Sequence, residues 1–324
     1  MKNGRRNAVL STLFSLVLLM GLGRAVTTLR GRPSIPTRHD GSPWGADYFP
    51  NVSLVTQDGK PVRFFEDLIR GRVVAINFIY TGCAQACPLE TARLREVQKI
   101  LGDRVGRDVF FYSISIDPEH DTPEVLKAYA KQFDAGPGWT FLTGKEADIT
   151  KLRKKLGLLE DESQARNLKG HDLSLIIGNQ VTGQWMLSSP YENPYVLATE
   201  LGSWLPNWKT TPKKRHSYAE APELRPMSDG EILFRTRCEA CHSIGNIEMV
   251  SGKKPVGPDL SGILRQRDRQ WLTRWLKEPD KMLAEKDPLA MALFDKYNHV
   301  TMPNLSLNDA DIEALLHYIQ GESR

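Results

Sequence analysis

Residues 73–88 read VVAINFIYTGCAQACP, and this stretch determines the fold expected for the first half of the chain. Its first eight residues form a short, apolar, largely β-branched run, which is typical of a central strand covered on both faces. Thr81 and Gly82 end the run, and Pro88 is tolerated in a first helical turn because its missing N–H would have no partner there. The stretch therefore predicts a buried strand, a sharp turn and the start of a helix.

The predicted helix carries apolar and charged residues at helical spacing. Its expected buried face consists of Leu94, Val97, Ile100 and Leu101. Its charged residues, Arg93, Arg95 and Lys99, are expected to lie mostly outside that face.

Two cysteines lie where the predicted strand gives way to the helix. Free N–H groups and the helix dipole at such a position favour thiolate over thiol. The i, i+4 spacing of Cys83 and Cys87 predicts both sulfurs on one side of a helical turn, where they can close a disulfide or bind a soft metal. The spacing is CxxxC, one residue longer than the CxxC of thioredoxin-type redox pairs. Two buried cysteines without special chemistry are the alternative, because free cysteine is often buried.

Length and composition indicate a globular protein with two domains. A chain of 324 residues is too long for one typical domain. The net charge of +4 is too small to argue for a nucleic-acid partner, and the sequence has no glycine-rich phosphate loop. The four cysteines fall into two close pairs, Cys83/Cys87 and Cys238/Cys241, so each pair is expected to have its own chemistry.

The N-terminus has the pattern of a secretory signal or a short membrane anchor. Three basic residues precede an apolar run over residues 8–23, which is shorter than the usual spanning length of about 20 residues. Small residues allow cleavage after Ala25. We expect residues 1–25 to be a signal peptide or anchor. The rest of the chain is then expected in the periplasm, either tethered to the inner membrane or released after cleavage.

The first predicted domain, residues 42–208, alternates strands with helices. Asp58 and Gly59 between two β-rich runs predict a hairpin, while Thr122 and Pro123 predict a capped helix start. Further strands are predicted at residues 109–116, 139–142, 173–181 and 184–186, and further helices at residues 146–158 and 194–205. This alternation predicts a mostly parallel sheet covered on both faces, and a strand–CxxxC–helix in that context is thioredoxin-like.

Two motifs carry a family resemblance. FIYTGCAQACP at residues 78–88 and SISIDPEHDTPEVLKAY at residues 113–129 together closely resemble the Sco/SenC family. These are thioredoxin-fold, membrane-associated proteins that bind copper and help to assemble the CuA centre of cytochrome c oxidase. The resemblance covers essentially the whole first domain. It implies that the client is the CuA-bearing subunit of cytochrome c oxidase or a similar cupredoxin.

The resemblance also implies a set of copper ligands. The family holds copper with the two CxxxC cysteines and a distal histidine at the start of a late strand, and the matching residues here are Cys83, Cys87 and His171. Thiolate suits Cu(I), and imidazole suits either copper state, so one copper cycling between Cu(I) and Cu(II) is implied. The residues around His171 match the family only in part. His120 lies in a loop where the family usually lacks a histidine, and it is expected at the surface.

The second half of the chain contains a haem attachment motif. Residues 209–226 contain three prolines and clustered charges and are predicted to be a linker to a second domain, residues 227–322. A capping box beginning at Ser228 predicts its first helix. The CEACH run at residues 238–242 is a CxxCH motif, in which Cys238 and Cys241 form thioethers to the haem and His242 ligates the iron. A redox pair or half a zinc site are the alternatives, although a zinc site would want more cysteines.

A second iron ligand is expected at Met302. This methionine precedes the last predicted helix, which is expected to begin at Ser306, and methionine ligation raises the potential of a haem. The motifs CxxCH, GPDL at residues 257–260, WLTRWL at residues 271–276 and Met302-Pro303 together resemble the class I cytochromes c. In that family Pro258 lies beside the proximal histidine. Weaker candidates for the iron ligand are Met249, Met282, Met291 and His299.

The two halves together predict an exported redox protein, a thioredoxin-like α/β domain followed by an all-α cytochrome c domain. We expect a copper-binding protein that serves assembly of the CuA centre, with one covalent haem c as a tethered one-electron relay. The main alternative is a thiol–disulfide oxidoreductase that reduces the cysteines of a CuA apo-site, with Cys83 and Cys87 catalytic and Cys83 the likelier nucleophile. A third reading is an electron carrier whose first domain only docks to a redox partner protein. The sequence does not decide between copper chaperone and enzyme.

Overall fold

The computed structural model describes residue 45 and residues 48–207, 226–245 and 256–323. The predicted signal or anchor at residues 1–25, nearly all of the predicted linker and Met249 lie outside the described residues. Within those ranges, none of the helices combines the length and the hydropathy needed to cross a membrane.

A seven-stranded sheet forms the centre of the first domain. Its strands are β1 (Ser53–Thr56), β2 (Pro61–Arg63), β3 (Val73–Ile79), β4 (Val109–Ser115), β5 (Trp139–Gly144), β6 (Leu175–Asn179) and β7 (Gln184–Ser188). They lie in the order β2-β1-β5-β4-β3-β6-β7. Strand β3 pairs with β4 in parallel, as does β4 with β5, whereas the other four pairs are antiparallel. The prediction of a mostly parallel sheet is therefore wrong, because hairpins add antiparallel strands at both edges of a parallel centre.

Helices cover both faces of this sheet. They are α1 (Ala86–Leu101), α2 (Pro123–Gln132), α3 (Glu146–Lys155), α4 (Pro194–Thr199) and α5 (Leu205–Asn207). Thr122 caps α2 as predicted, with its hydroxyl accepting from the Val125 N–H. Phe64–Ile69 forms a wide helical turn directly after the hairpin. Every residue of β3 is buried, which confirms the predicted central strand.

In the described ranges, all regular secondary structure of the second domain is helical. Its helices are α6 (Asp229–Leu233), α7 (Ile263–Gln266), α8 (Arg269–Lys277), α9 (Pro279–Ala284), α10 (Pro288–Lys296) and α11 (Asp309–Glu322). Ser228 caps α6 as predicted. Helix α11 begins after Asn308, whose side chain forms a capping box with Asp311, so the expected start at Ser306 is wrong. Its predicted apolar face is confirmed, because Ile312, Leu315, Leu316 and Ile319 are all buried.

Helix α1 is buried on almost all sides. Arg93 is 4% exposed and Arg95 is 2% exposed, whereas Ile100 is only half-buried. The expectation that both arginines lie mostly outside the buried face is therefore wrong. Residues Ala240 and Val256 of the second domain belong to the same apolar cluster as α1. The second domain covers a face of helix α1 that the helical pattern alone predicts to be exposed to solvent.

Candidate functional site

The two CxxxC cysteines lie at the carboxyl end of β3. After β3 the chain turns sharply, with the Cys83 N–H donating to the Tyr80 carbonyl at 3.2 Å. Cys83 precedes helix α1, and Cys87 is the second residue of that helix. Both are free thiols; Cys83 is 7% exposed and Cys87 is fully buried. The predicted position at a strand–helix junction is thus confirmed.

The two thiols share a hydrogen bond that makes them chemically different. The pKa of Cys83 is lowered to about 5, first because the Cys87 thiol donates to it, and also because the N–H groups of Cys87 and Gln85 donate to it. The pKa of Cys87 is raised far above its ordinary value, because it donates to Cys83 and is buried. At neutral pH the pair therefore consists of a thiolate at Cys83 and a protonated thiol at Cys87.

Tyr80 lies between this thiolate and His171. The Tyr80 hydroxyl hydrogen-bonds the Cys83 sulfur, and the tyrosine and histidine rings meet edge to face at a centroid distance of 5.7 Å. From the sequence, Tyr80 is predicted only as the end of a strand. Its position three residues before Cys83 was the available signal. Burial and the neighbouring Cys83 charge raise the pKa of Tyr80, so the hydroxyl keeps its proton and donates.

His171 presents an available nitrogen towards the protein interior. Its Nδ1 lies 2.6 Å from the Leu168 carbonyl, which can only accept, so Nδ1 carries the proton. Its Nε2 is buried and finds no hydrogen-bond partner among the described residues. A buried nitrogen without a partner costs free energy unless something binds it. The nitrogen is of the type that ligates copper.

The structure does not assemble the three predicted copper ligands into one group. Among the described residues no three His, Cys, Asp or Glu side chains lie close enough together to hold a metal ion. Cys83 and Cys87 are in contact with each other, and Tyr80 contacts both Cys83 and the ring of His171. The donor types nevertheless fit a soft metal ion, since a thiolate, a second sulfur and a free imidazole nitrogen lie around one tyrosine. His120 is exposed and pairs with Asp117, as expected for a surface residue.

A buried carboxyl lies one helical turn beyond Cys87. Glu90 accepts a hydrogen bond from the Asn77 amide at 2.7 Å, and its second oxygen has no partner within the described part of the chain. Burial raises the pKa of Glu90 to about 8, so the group is largely protonated at neutral pH. Sequence reasoning missed this pair. A polar Asn77 in the middle of an apolar strand was its only signal.

The CxxCH motif of the second domain is held by backbone contacts. The Gly257 N–H donates to the Cys241 carbonyl at 2.8 Å. The Pro258 carbonyl lies 2.9 Å from Nδ1 of His242, so Nδ1 donates and Nε2 is free to ligate iron. This contact places Pro258 beside His242, as expected. Burial lowers the pKa of His242, which keeps the imidazole neutral.

A cavity of about 70 Å³ is lined by three of the predicted haem residues. Its wall includes Cys241, His242 and Met302, together with apolar side chains from α8, α9 and α10. A thiol, a free imidazole nitrogen and a thioether around one apolar cavity fit a haem held by Cys238, Cys241, His242 and Met302. Met282, Met291 and His299 are not on this wall, and His299 instead lies at the surface beside Asp295.

Comparison with known families agrees with both halves of the chain. Residues 43–186 match the SCO1/SenC family model, and residues 227–322 match the Cytochrome c family model. The first part of the chain is thus similar to the SCO1/SenC family, and the second part is similar to the cytochrome c family.

Curated relatives resemble the first domain. An SCO1 protein homolog of Bacillus subtilis is 39% identical over 89 residues, which is 27% of this chain and 45% of that protein. An SCO2-like protein of Rickettsia felis is 33% identical over 141 residues, which is 44% of this chain and 63% of that protein. The chain thus spans about half the length of the curated relatives it matches.

Solved structures resemble each half separately. A SCO1/SenC family lipoprotein from Bacillus anthracis is 29% identical, with a TM-score of 0.40, covering 47% of this chain and 92% of that one. The cytochrome c domain of the pp3183 protein from Pseudomonas putida is 53% identical, with a TM-score of 0.26, covering 29% of this chain and 87% of that one.

Proposed function

We propose that this protein binds copper at Cys83, Cys87 and His171 and delivers it to a CuA-type site of cytochrome c oxidase or a similar cupredoxin. The observation that carries the proposal is the chemistry around Tyr80. The Tyr80 hydroxyl contacts a thiolate, and the Tyr80 ring contacts His171, whose buried Nε2 has no partner among the described residues. A signal or anchor at residues 1–25 would place this site in the periplasm, at the inner membrane.

Each residue has a defined part in binding the ion. Cys83 is the first ligand, because it is already ionised at neutral pH. Cys87 joins when its proton is released to solvent, which breaks its hydrogen bond to Cys83. His171 would complete the set after a local rearrangement, because among the described residues no three such side chains yet lie close enough together to share an ion. A soft ion thereby gains two sulfurs and one nitrogen.

The second domain contributes residues suited to holding a haem c. Cys238 and Cys241 would attach it, and His242 and Met302 would be its axial ligands. A bound haem would supply a one-electron couple, which matches Cu(I)/Cu(II) better than it matches a two-electron dithiol. Because the two domains share one chain, the two centres meet at a high effective concentration.

A second candidate function rests on the same thiolate. With a pKa of about 5, Cys83 is ionised, as required of the attacking sulfur in thiol–disulfide exchange, and it is 7% exposed whereas Cys87 is fully buried. The protein would then reduce the cysteines of a CuA apo-site, with Cys87 resolving the mixed disulfide. His171 separates the two functions, because disulfide exchange has no use for its free nitrogen.

The test is Cu(I) affinity of the reduced, haem-loaded full chain, measured by competition with a Cu(I) chelator. His171→Ala is expected to weaken binding at least about tenfold, because it deletes a ligand. His120→Ala is the matched control, since that histidine is exposed and should leave affinity unchanged. Equal affinity in wild type and His171→Ala would contradict the proposed ligand set. Undiminished disulfide reduction in that variant, with no copper bound by the wild type, would establish the second function instead.

A further inference from the structure

Both segments that carry the proposed iron ligands pack against the CxxxC helix. On the His242 side, Ala240 belongs to the apolar cluster that contains Cys83 and Cys87, and Cys241 packs against that cluster. On the Met302 side, Val300 and Leu305 pack on the same cluster. The second domain therefore contacts the first domain through the segments that carry its proposed haem ligands.

One backbone hydrogen bond joins the two sites most directly. The Asn304 N–H donates to the Ala84 carbonyl at 3.0 Å. Ala84 directly follows Cys83 within the CxxxC loop, and Asn304 is two residues after Met302. A rearrangement of the CxxxC loop thus reaches the segment that carries Met302 through a single hydrogen bond.

The Met302 segment is held firmly enough to transmit such a rearrangement. The Asn304 side-chain amide donates to Asp280 at 2.8 Å, and its oxygen accepts from the Ser306 N–H at 3.0 Å. The next residue in the chain, Leu305, accepts from Arg237 at 3.1 Å, which joins this segment to the CxxCH turn. The segment has fixed contacts on both sides and is not a freely moving loop.

A buried ion pair holds the opposite side of the interface. Arg93 pairs with Glu96 at 2.9 Å, and both side chains are almost completely buried. The Arg93 guanidinium also donates to the Arg235 carbonyl of the second domain. Because Arg235 lies in the turn that leads to Cys238, this contact fixes the start of the CxxCH motif on helix α1.

We infer that the Asn304–Ala84 hydrogen bond couples metal binding at the CxxxC pair to the environment of Met302. The inference rests on the proposed function. The Cys83 and Cys87 thiols are hydrogen-bonded to each other and Cys87 is fully buried, so an ion that binds both sulfurs must separate them and move the loop containing Ala84. Linkage makes the coupling reciprocal: metal at the cysteines changes the haem potential, and the haem oxidation state changes metal affinity by the same factor.

The experiment uses Cd(II), a soft and redox-inactive ion, with the full haem-loaded chain. Its affinity is measured by calorimetry with the haem ferric and then ferrous. We expect the two affinities to differ at least about fivefold. The midpoint potential of the haem should accordingly shift by about 40 mV on saturation with Cd(II), since tenfold corresponds to 59 mV for one electron. Amide exchange at Asn304 should become faster when Cd(II) is bound.

Two variants at one position isolate the hydrogen bond. Asn304→Pro removes the N–H and should abolish the difference between ferric and ferrous affinities. Asn304→Ala keeps the N–H while losing the Asp280 contact, and it should retain the difference. Wild type alone decides the matter if the proline variant does not fold. Equal Cd(II) affinities in both haem states overturn the inference alone. Absence of both Cd(II) and Cu(I) binding overturns the proposed function, and the inference with it.

Discussion

At the scale of single residues, the CxxxC pair derives its chemistry from one shared proton. Two cysteines four residues apart would titrate alike in water. Here Cys87 is buried inside the first turn of α1, so it keeps its proton and donates it to Cys83. The hydroxyl of Tyr80 adds another donor to the same sulfur. The result is a thiolate that needs no nearby cation.

Replacing Cys87 tests this origin of the thiolate. Cys87→Ala removes the strongest cause of the low pKa, so the pKa of Cys83 should rise from about 5 towards its ordinary value of 9.0. The rate of alkylation of Cys83 by iodoacetamide, followed by mass spectrometry, should therefore reach half its maximum at a higher pH. The matched control is Tyr80→Phe, which removes a weaker donor and should raise the midpoint less. An unchanged midpoint in Cys87→Ala would refute the shared-proton account.

Glu90 leads to a prediction about stability and pH. Unfolded, this carboxyl ionises near 4.5, whereas in the folded protein its pKa is about 8. Between these values the unfolded chain has released a proton that the folded chain still holds, so rising pH favours unfolding. Glu90→Gln cannot ionise and keeps an oxygen for Asn77. Between pH 5 and pH 8 the free energy of unfolding of this variant, measured in urea, should decrease by about a few kcal/mol less than that of wild type. A curve as steep as that of wild type would contradict this.

At the scale of elements, the backbone beside the CxxCH turn positions its histidine. Gly257 donates to the Cys241 carbonyl, and the Leu260 N–H donates to the Ser243 carbonyl, so this segment runs along the motif like a paired strand. Its Pro258 carbonyl then orients the His242 ring. The absence of a side chain at Gly257 lets the segment approach that ring closely.

Adding one methyl group should disturb this arrangement. A Cβ at residue 257 would lie 2.6 Å from Cε1 of His242, which cannot retreat without losing the Pro258 contact. We expect Gly257→Ala to lower thermal stability and to weaken ligation by His242, seen as a changed Soret band. Gly321→Ala is the control, because a Cβ there meets nothing within 4 Å. Equal spectra and melting temperatures in both variants would show that the close approach is unimportant.

At the scale of the whole molecule, the buried pair Arg93–Glu96 predicts how strongly the domains are docked. Arg93→Ala leaves the Glu96 carboxylate without its partner and removes the contact to the Arg235 carbonyl. The cost should be roughly 3–5 kcal/mol in urea unfolding followed by circular dichroism. Lys99→Ala, on the same helix but paired at the surface with Asp134, should cost less than about 1 kcal/mol. Similar costs for both variants would mean that the interface contributes little to stability.

A feature of this protein could be predicted from the sequence when it depends on residues close together in the chain. The buried strand, the cap at Thr122 and the contact of Pro258 with His242 depend on neighbouring residues or on short motifs, and these predictions were confirmed. The direction of strand pairing depends on residues far apart in the chain, and alternation of strands with helices does not specify it. The burial of Arg93 depends on a second domain, which no helical periodicity reveals.

The candidate site shows the same limit. Residue types and motif spacing predicted both cysteine pairs, His242 and Met302; the structure places Cys241, His242 and Met302 around one cavity, and the roles of all these residues stay predictions. Tyr80 and Glu90 were missed because each acts through a contact made by folding. The joining of His171 to the cysteines also stays a prediction, since no three such side chains among the described residues lie close enough to hold a metal ion.

The positions of the CxxCH thiols have a consequence for the order of maturation. Cys238 lies in the apolar cluster of its own domain, Cys241 is half-buried against the cluster of the first domain, and burial raises the pKa of both thiols to about 12. We therefore expect the thioethers of the proposed haem to form before the cytochrome c half closes onto helix α1, so that closure is a late step of biogenesis.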